Sequence, residues 1–475
     1  MKVKKSDFLD SKIDLLKKII DNLSNDFEYV SILGTDSIGK SYKVSSKEIG
    51  VSDGMWNERG FVARVYNGKN YTEYSFNELS ENNFNDIIES IKKEALNINK
   101  LNIDEISIST YPIIDEEKIK DEFYGDVKIL PEEMKTNEII EKLSKIKAEA
   151  FKLSDKLIDL KLNFDWEKVS KIFISKNKEL KQSYIWSQAY VVPILKKEDE
   201  IKYSFKAFSG LKGLEIIDEM EDNYEKAIRH TENLLNAKKI KPGVYDVICS
   251  PEISGLIAHE AFGHGVEMDM FVKNRAKAQE YLNKEVASKL VNMHDGAKSA
   301  NHVSSYLFDD EGTIGTDTKI IENGILKRGI SDLLSALKLG TKPTGNGKRE
   351  SYKRKAYARM TNTFFAPGDS SFEEMLSSIK EGIYLVDEMS GMEDPKNWGI
   401  QCMILSAIEI KDGKLTDNIY SPIILTGYVP ELLKNISMVS KDLKLSGSGA
   451  CGKGYKEWVK VSAGGPYIKT KARLG

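Results

Sequence analysis

Two histidines bracket a glutamate in the stretch Ser250-Pro-Glu-Ile-Ser-Gly-Leu-Ile-Ala-His-Glu-Ala-Phe-Gly-His264. The chain holds only five histidines, and His259, Glu260 and His264 stand together inside an apolar frame. Neutral imidazole is a good ligand for a borderline-soft divalent ion such as zinc. A glutamate beside the first ligand can take a proton from water that the ion activates. His259 and His264 are therefore candidate metal ligands, and Glu260 is the candidate base.

The spacing departs from the common His-Glu-x-x-His helix, which sets its ligands four residues apart. Here they are five apart, about 140° around a straight helix. Both reach one ion only if the helix bulges or unwinds between them. Gly263 permits that, and a π-bulge restores a common face.

A catalytic zinc usually takes three protein ligands and keeps one open position. Ser446-Gly-Ser-Gly-Ala-Cys451-Gly-Lys-Gly454 offers a cysteine among small residues, where the backbone bends sharply. Lys453 nearby favours the thiolate. Glu267, Asp269, His294, His302, Cys249 and Cys402 are further candidates. Glu267 stands three residues past His264 and ranks below Cys451.

These residues need elements to hold them. Val244-Tyr-Asp-Val-Ile-Cys249 reads as a strand leading into the motif helix, with helical sequence continuing to about Leu290. After it come runs split by Asn-Gly and Asp-Gly, which are hairpin signals. The C-terminal half thus reads as largely antiparallel β structure carrying the motif helix. In the N-terminal half, residues 7–24 have helical periodicity, residues 27–76 read as strands, and residues 103–133 as a connection. The expected class is α+β, with an N-terminal α/β domain over 1–238 and a β-rich domain over 239–475, split at Lys-Pro-Gly243. A further boundary is possible near 103–133.

Gly34-Thr-Asp-Ser-Ile-Gly-Lys-Ser41 fits the phosphate-loop pattern. A working loop opens a helix whose N-terminus faces the phosphates. The residues after Ser41 alternate and carry β-branched types, so this stretch reads as a hairpin turn. Nucleotide binding through Gly34–Ser41 stays as an alternative, as does a non-catalytic partner with a structural metal.

Bulk properties set limits. At 475 residues, two or three domains are expected. With 70 basic and 73 acidic side chains the net charge is −3, which gives no pointer to nucleic acid or an anionic membrane. Three scattered cysteines argue against a disulfide framework and for a reducing compartment. No apolar run approaches a membrane span, and the N-terminus lacks a signal-peptide core. The expectation is a cytoplasmic protein.

The chain resembles the TldD/PmbA family of metallopeptidases, on the TldD-like side. The resemblance rests on Pro242-Gly-Val-Tyr-Asp-Val, His259-Glu-Ala-Phe-Gly-His264 with Glu267 and Asp269, Asp309-Asp-Glu-Gly312, Thr344-Gly-Asn-Gly, Arg359-Met-Thr-Asn-Thr and Cys451-Gly-Lys-Gly454. In the first half only the strand–helix order and Gly60–Tyr66 are similar. The resemblance implies metal ligands at His259, His264 and Cys451, with Glu260 as base. It implies zinc, with iron as the other possible ion, and hydrolysis of short or unfolded peptides. It also implies a dimer, either of two such chains or with a PmbA-like chain that lacks the motif. Tyr455 departs from the Gln that the family often has there. Arg359 and Asn362 are weak candidates for substrate contact. No residue is assigned to an organic cofactor.

Overall fold

The chain opens with a helix, Asp7–Leu23, because Ser6 caps it and an apolar face recurs at Leu9, Leu16, Ile19, Ile20 and Leu23. The Ser6 hydroxyl accepts the Leu9 N–H at 3.1 Å. A computed structural model describes residues 1–100, 110–454 and 457–475. Tyr455 and residues 103–109 of the expected connection lie outside the described residues.

The N-terminal half is a nine-stranded sheet. Its path runs Tyr71–Phe76, Glu58–Tyr66, Val30–Val44, Leu157–Ser175, Lys178–Lys197 and Ile119–Tyr124. Only the last pairing in that path is parallel. Alternation along Leu157–Ser175 sorts its faces. Leu160, Leu162, Phe164 and Trp166 pack with residues of the helices Thr136–Ala150, Ile216–Glu221 and Tyr224–Leu234. Val169 and Phe173 turn the other way, towards Val303, Tyr306 and Phe308 of the C-terminal half.

Gly34–Ser41 is not a turn. It is the middle of the strand Val30–Val44, paired with Glu58–Val65 on one side and Leu162–Ser175 on the other. Its glycines mark close packing rather than reversal. A Cβ on Gly39 would fall 2.1 Å from the Trp166 carbonyl oxygen. The next element is a strand, Ile49–Asp53, so this segment does not open a helix. The phosphate-loop reading is thereby overturned: its backbone donors serve the sheet.

The C-terminal half holds two main sheets. The seven-stranded one runs Gly243–Cys249, Glu381–Asp394, Gly399–Lys411, Ile423–Tyr428, Ile468–Leu474 and Met438–Val439, and Gly243–Cys249 also pairs with Ile468–Leu474. The six-stranded one runs Ile325–Leu326, Thr318–Glu322, Met293–Asp295, Asn362–Phe365, Ser462–Gly465 and Lys444–Ser446. Antiparallel pairing predominates in both, so the class is α+β. The motif helix lies in the core with both sheets: Ile257, Ala261 and Phe262 share one cluster with Leu385, Ile404, Met293 and Phe365.

The expected helical run to Leu290 is shorter. Helix stops after Met268–Val272, and a 3-10 turn follows at Lys277–Tyr281. Asn274 and Asn283 take left-handed φ angles of 52° and 62°, which interrupt helix on either side of that turn. Among the described residues no helix is long and apolar enough to cross a membrane.

Candidate metal centre

The strand Gly243–Cys249 hands over to a helix at Ser250. Its hydroxyl accepts the Ile253 N–H at 3.3 Å and donates to the Val386 carbonyl at 2.6 Å. Pro251 fills the first turn, where a missing N–H costs nothing. The helix is α over Pro251–Leu256 and then becomes π over Ile257–Gly263. The His264 N–H bonds the His259 carbonyl, five residues back. This wider turn brings the two histidines onto one face, as the spacing required.

Two glycines seat this segment. A Cβ on Gly255 would lie 2.6 Å from the Gly464 backbone. One on Gly263 would lie 2.1 Å from the Met360 sulfur. The helix therefore rests on the six-stranded sheet at closer range than any side chain allows.

The rings of His259 and His264 stand 5.1 Å apart, centroid to centroid, at 85°. Cys451 meets them from the far end of the chain, with Sγ 3.5 Å from His264 Nε2. One donor atom from each of the three residues lies within 4.8 Å of the others. It is the one such group of His, Cys, Asp and Glu among the described residues. The donor chemistry fits a divalent ion of zinc's softness, two imidazoles and a thiol. His259 Nδ1 is buried without a hydrogen-bond partner. Burial raises the Cys451 thiol, but His259 and His264 outweigh it and hold the group well below its ordinary range. The sulfur is thus poised as thiolate.

A layer of charged residues supports these three. Glu267 is 2% exposed, and its Oε2 faces His264 Nδ1 at 3.3 Å. Burial pushes its carboxyl up, while Lys453, His264 and Arg359 together hold it well below the usual carboxylate range. Lys453 Nζ reaches Glu267 at 3.0 Å and Asp269 at 2.7 Å. Partners of this kind fix the orientation of a ligating ring.

The centre opens on a cleft of about 1050 Å³, whose wall includes Glu260, Glu388, Glu393, Lys453 and Trp458. Glu260 stands beside His259, with Oε1 4.0 Å from Nε2. Burial raises its carboxyl, and His259 and His264 pull it back. Gly391 presses on it from the strand Glu381–Asp394, where a Cβ would come within 2.5 Å of Glu260 Cγ. Burial also raises Glu388, to about 7, with Glu252 adding to the effect.

The structure thus brings together His259, Glu260, His264 and Cys451, with Glu267 behind His264. Arg359 and Asn362 are not in the cleft wall, which corrects their reading as substrate contacts. Arg359 is 1% exposed and donates to the carbonyls of Cys451 at 2.6 Å and Glu457 at 2.7 Å. Asn362 is fully buried and bonds Gly296, Ser305 and Ser462. Cys249 and Cys402 are core residues, and His294 pairs with Asp317 at 2.8 Å. Sequence reasoning missed Glu388, Glu393 and Gly391. They sit on a strand whose register slips between Leu385 and Ser390, and no motif marks such a bulge.

Residues 242–472 match the PmbA/TldA metallopeptidase C-terminal domain. The chain is 31% identical over 431 residues to a metalloprotease of Methanocaldococcus jannaschii, covering 89% of this chain and 91% of that one. It is 37% identical over 241 residues to a zinc metalloprotease TldD homolog of Saccharolobus solfataricus, covering 50% and 53% of the two chains. Its fold is similar to the crystal structure of TldE from Thermococcus kodakarensis, with a TM-score of 0.75 at 18% identity over 97% of this chain and 99% of that one. These relationships define a metallopeptidase, a hydrolase of peptide bonds. The chain belongs to the TldD/PmbA family.

Proposed function

We propose that the chain is a zinc peptidase whose ion is held by His259, His264 and Cys451, with Glu260 as general base. One observation carries this reading: three donors within 4.8 Å of one another face a cleft that Glu260 also lines. Three protein donors, not four, converge among the described residues, which suits a catalytic ion better than a structural one. Iron is the alternative ion.

When bound, the ion supplies Lewis acidity, activating water and polarising the scissile carbonyl. Glu260 takes the proton from the attacking water and delivers it to the leaving amine. Ionised Glu267 accepts a hydrogen bond from the Nδ1–H of His264, so that Nε2 would offer its lone pair on the side of Cys451. Lys453 and Arg359 keep Glu267 ionised for that task. The substrate is a short or unfolded peptide. The edge strand Lys444–Ser446 ends at the cleft wall, where an extended peptide can add by main-chain hydrogen bonds.

The chain divides into an N-terminal domain over 1–238 and a catalytic domain over 239–475. It works in the cytoplasm as a dimer, with a second copy or with a PmbA-like chain. The sparse free cysteines suit that compartment.

Elemental analysis of wild type and Cys451→Ala tests the site. Near one zinc or iron per chain, sharply reduced in the variant, is expected. Equal metal in both proteins would remove Cys451 from the ligand set.

A further inference from the structure

Behind the Gly449–Ala450 wall of the metal cleft lies a second cavity of about 460 Å³. Trp56, Trp186 and Trp458 contribute to its walls. The rings of Trp56 and Trp186 meet edge to face, 5.3 Å apart at 78°. The Trp56 indole N–H donates to the Trp458 carbonyl at 3.2 Å. The three residues are thus tied into one frame.

Glu167 lines this cavity, 1% exposed, and its Oε1 is buried without a hydrogen-bond partner. Its Oε2 is fitted between glycines: a Cβ on Gly39 or Gly54 would fall 2.5 or 2.4 Å from it. Among the described residues no lysine or arginine pairs with the carboxyl. Burial, Glu58 and Asp165 all raise it, to about 8. A buried carboxyl kept only for structure is normally given partners, because an unpaired one costs stability. Here the residue stands in the wall of a cavity instead.

We propose that this cavity binds an alkylammonium group, with Glu167 as its counter-ion and the tryptophans as its walls. Indole faces attract organic cations, and the effect grows when water is excluded. The Trp186 ring already carries Lys460 Nζ at 4.5 Å, so Trp56 and Trp458 are the walls that serve here. An N–H donor from an ammonium would give the unpaired carboxyl a charge-assisted partner. The alkyl portion gains from the apolar walls. A hard metal cation is a poorer match, because it needs several oxygen ligands and the indoles offer none. On binding, Glu167 releases its proton to solvent, and the ammonium replaces that proton as its partner. Gly449 and Ala450 line both cavities, so two sources present the same chemistry: a lysine side chain of a peptide in the cleft, and a free amine. The proposal stands on the cavity and does not depend on peptidase activity.

The test titrates n-butylammonium into the full-length protein at neutral pH, read by tryptophan fluorescence and calorimetry. Saturable binding is expected in wild type, and weakening by about tenfold or more in Glu167→Gln. The neutral counterpart n-butanol, with the same number of heavy atoms, should bind far more weakly than n-butylammonium. Trp56→Leu is a second variant, expected to weaken binding with Glu167 intact. Equal binding by wild type and a folded Glu167→Gln, or no saturation in wild type, overturns the proposal. Competition with a lysine peptide and its norleucine counterpart separates the sources. Displacement of the lysine peptide alone assigns the site to substrate; butylammonium binding beside either peptide assigns it to a free amine.

Discussion

The guanidinium of Arg359 donates a hydrogen bond to the backbone carbonyl of Cys451 at 2.6 Å. The same group donates to the Glu457 carbonyl at 2.7 Å and lies 3.8 Å from Glu267. One buried cation therefore holds both flanks of the cysteine loop and the carboxylate behind His264. Arg359→Met would leave the Glu457 carbonyl without its Arg359 donor, at about 1–3 kcal/mol if it stays buried, while the Cys451 carbonyl keeps the Val459 N–H. The expected outcome is zinc affinity about 10- to 100-fold weaker, measured by chelator competition well below the melting temperature. Wild-type affinity with a lowered melting temperature would make Arg359 a stability residue only.

Glu260 lies beside the donors without being one of them. Glu260→Gln keeps its volume and hydrogen-bonding capacity but removes the base. Peptide hydrolysis should fall by about 10²- to 10⁴-fold while metal content stays near wild type. Normal turnover in a metal-loaded variant would place the base elsewhere.

Gly255 sits where the motif helix crosses the strand Ser462–Gly465. In Gly255→Ala the new methyl would stand 2.6 Å from backbone atoms of Gly464, which cannot swing aside as a side chain can. The expected cost is about 2 kcal/mol or more in denaturant unfolding, with metal content reduced as the helix shifts. A neutral change in both readouts would show that the sheet yields at this crossing.

His259, Glu260 and His264 were legible as candidates because imidazole and carboxylate chemistry is written in residue type, and for both histidines to reach one ion the five-residue spacing demanded the wide turn seen at Ile257–Gly263. Cys451 was legible only as one candidate among several, since 187 residues separate it from His264 and local sequence cannot encode that meeting. Arg359 misled for a physical reason. A charged residue in a strand-like stretch suggests solvent or substrate, and only tertiary packing reveals carbonyls waiting for it. Gly34–Ser41 misled differently: glycine serves both reversal and close strand approach, and the sequence does not say which.

The Glu167 carboxyl ionises near 8 when folded, against an ordinary glutamate value near 4.5. A raised carboxyl binds its proton more tightly in the folded chain. Its contribution is therefore complete below about 4.5 and lost as pH rises towards 8. Across that window wild type should lose stability relative to Glu167→Gln, by at most about 1.4 kcal/mol per pH unit. Parallel denaturant curves at several pH values measure the difference, in which other titrating groups cancel. A pH-independent difference would mean that Glu167 ionises normally.

Gln188, on the N-terminal sheet, accepts the Gly449 N–H at 2.9 Å, two residues before Cys451. It also accepts from Lys460, and its amide donates to Asp165 at 2.8 Å. The loop that carries Cys451 is thus anchored outside the C-terminal half. Gly449 holds φ at 86°, a left-handed conformation that the anchor helps to select. In Gln188→Leu the loop samples arrangements with the sulfur away from the histidines, and zinc must then repopulate the competent one. Of the three hydrogen bonds removed, the one to Gly449 holds the loop directly, and losing about 1 kcal/mol there corresponds to about fivefold weaker zinc binding. Chelator competition on folded protein reads that change. Unaltered affinity would show that Arg359 and the Cys451–Val459 pairing are enough to hold the loop.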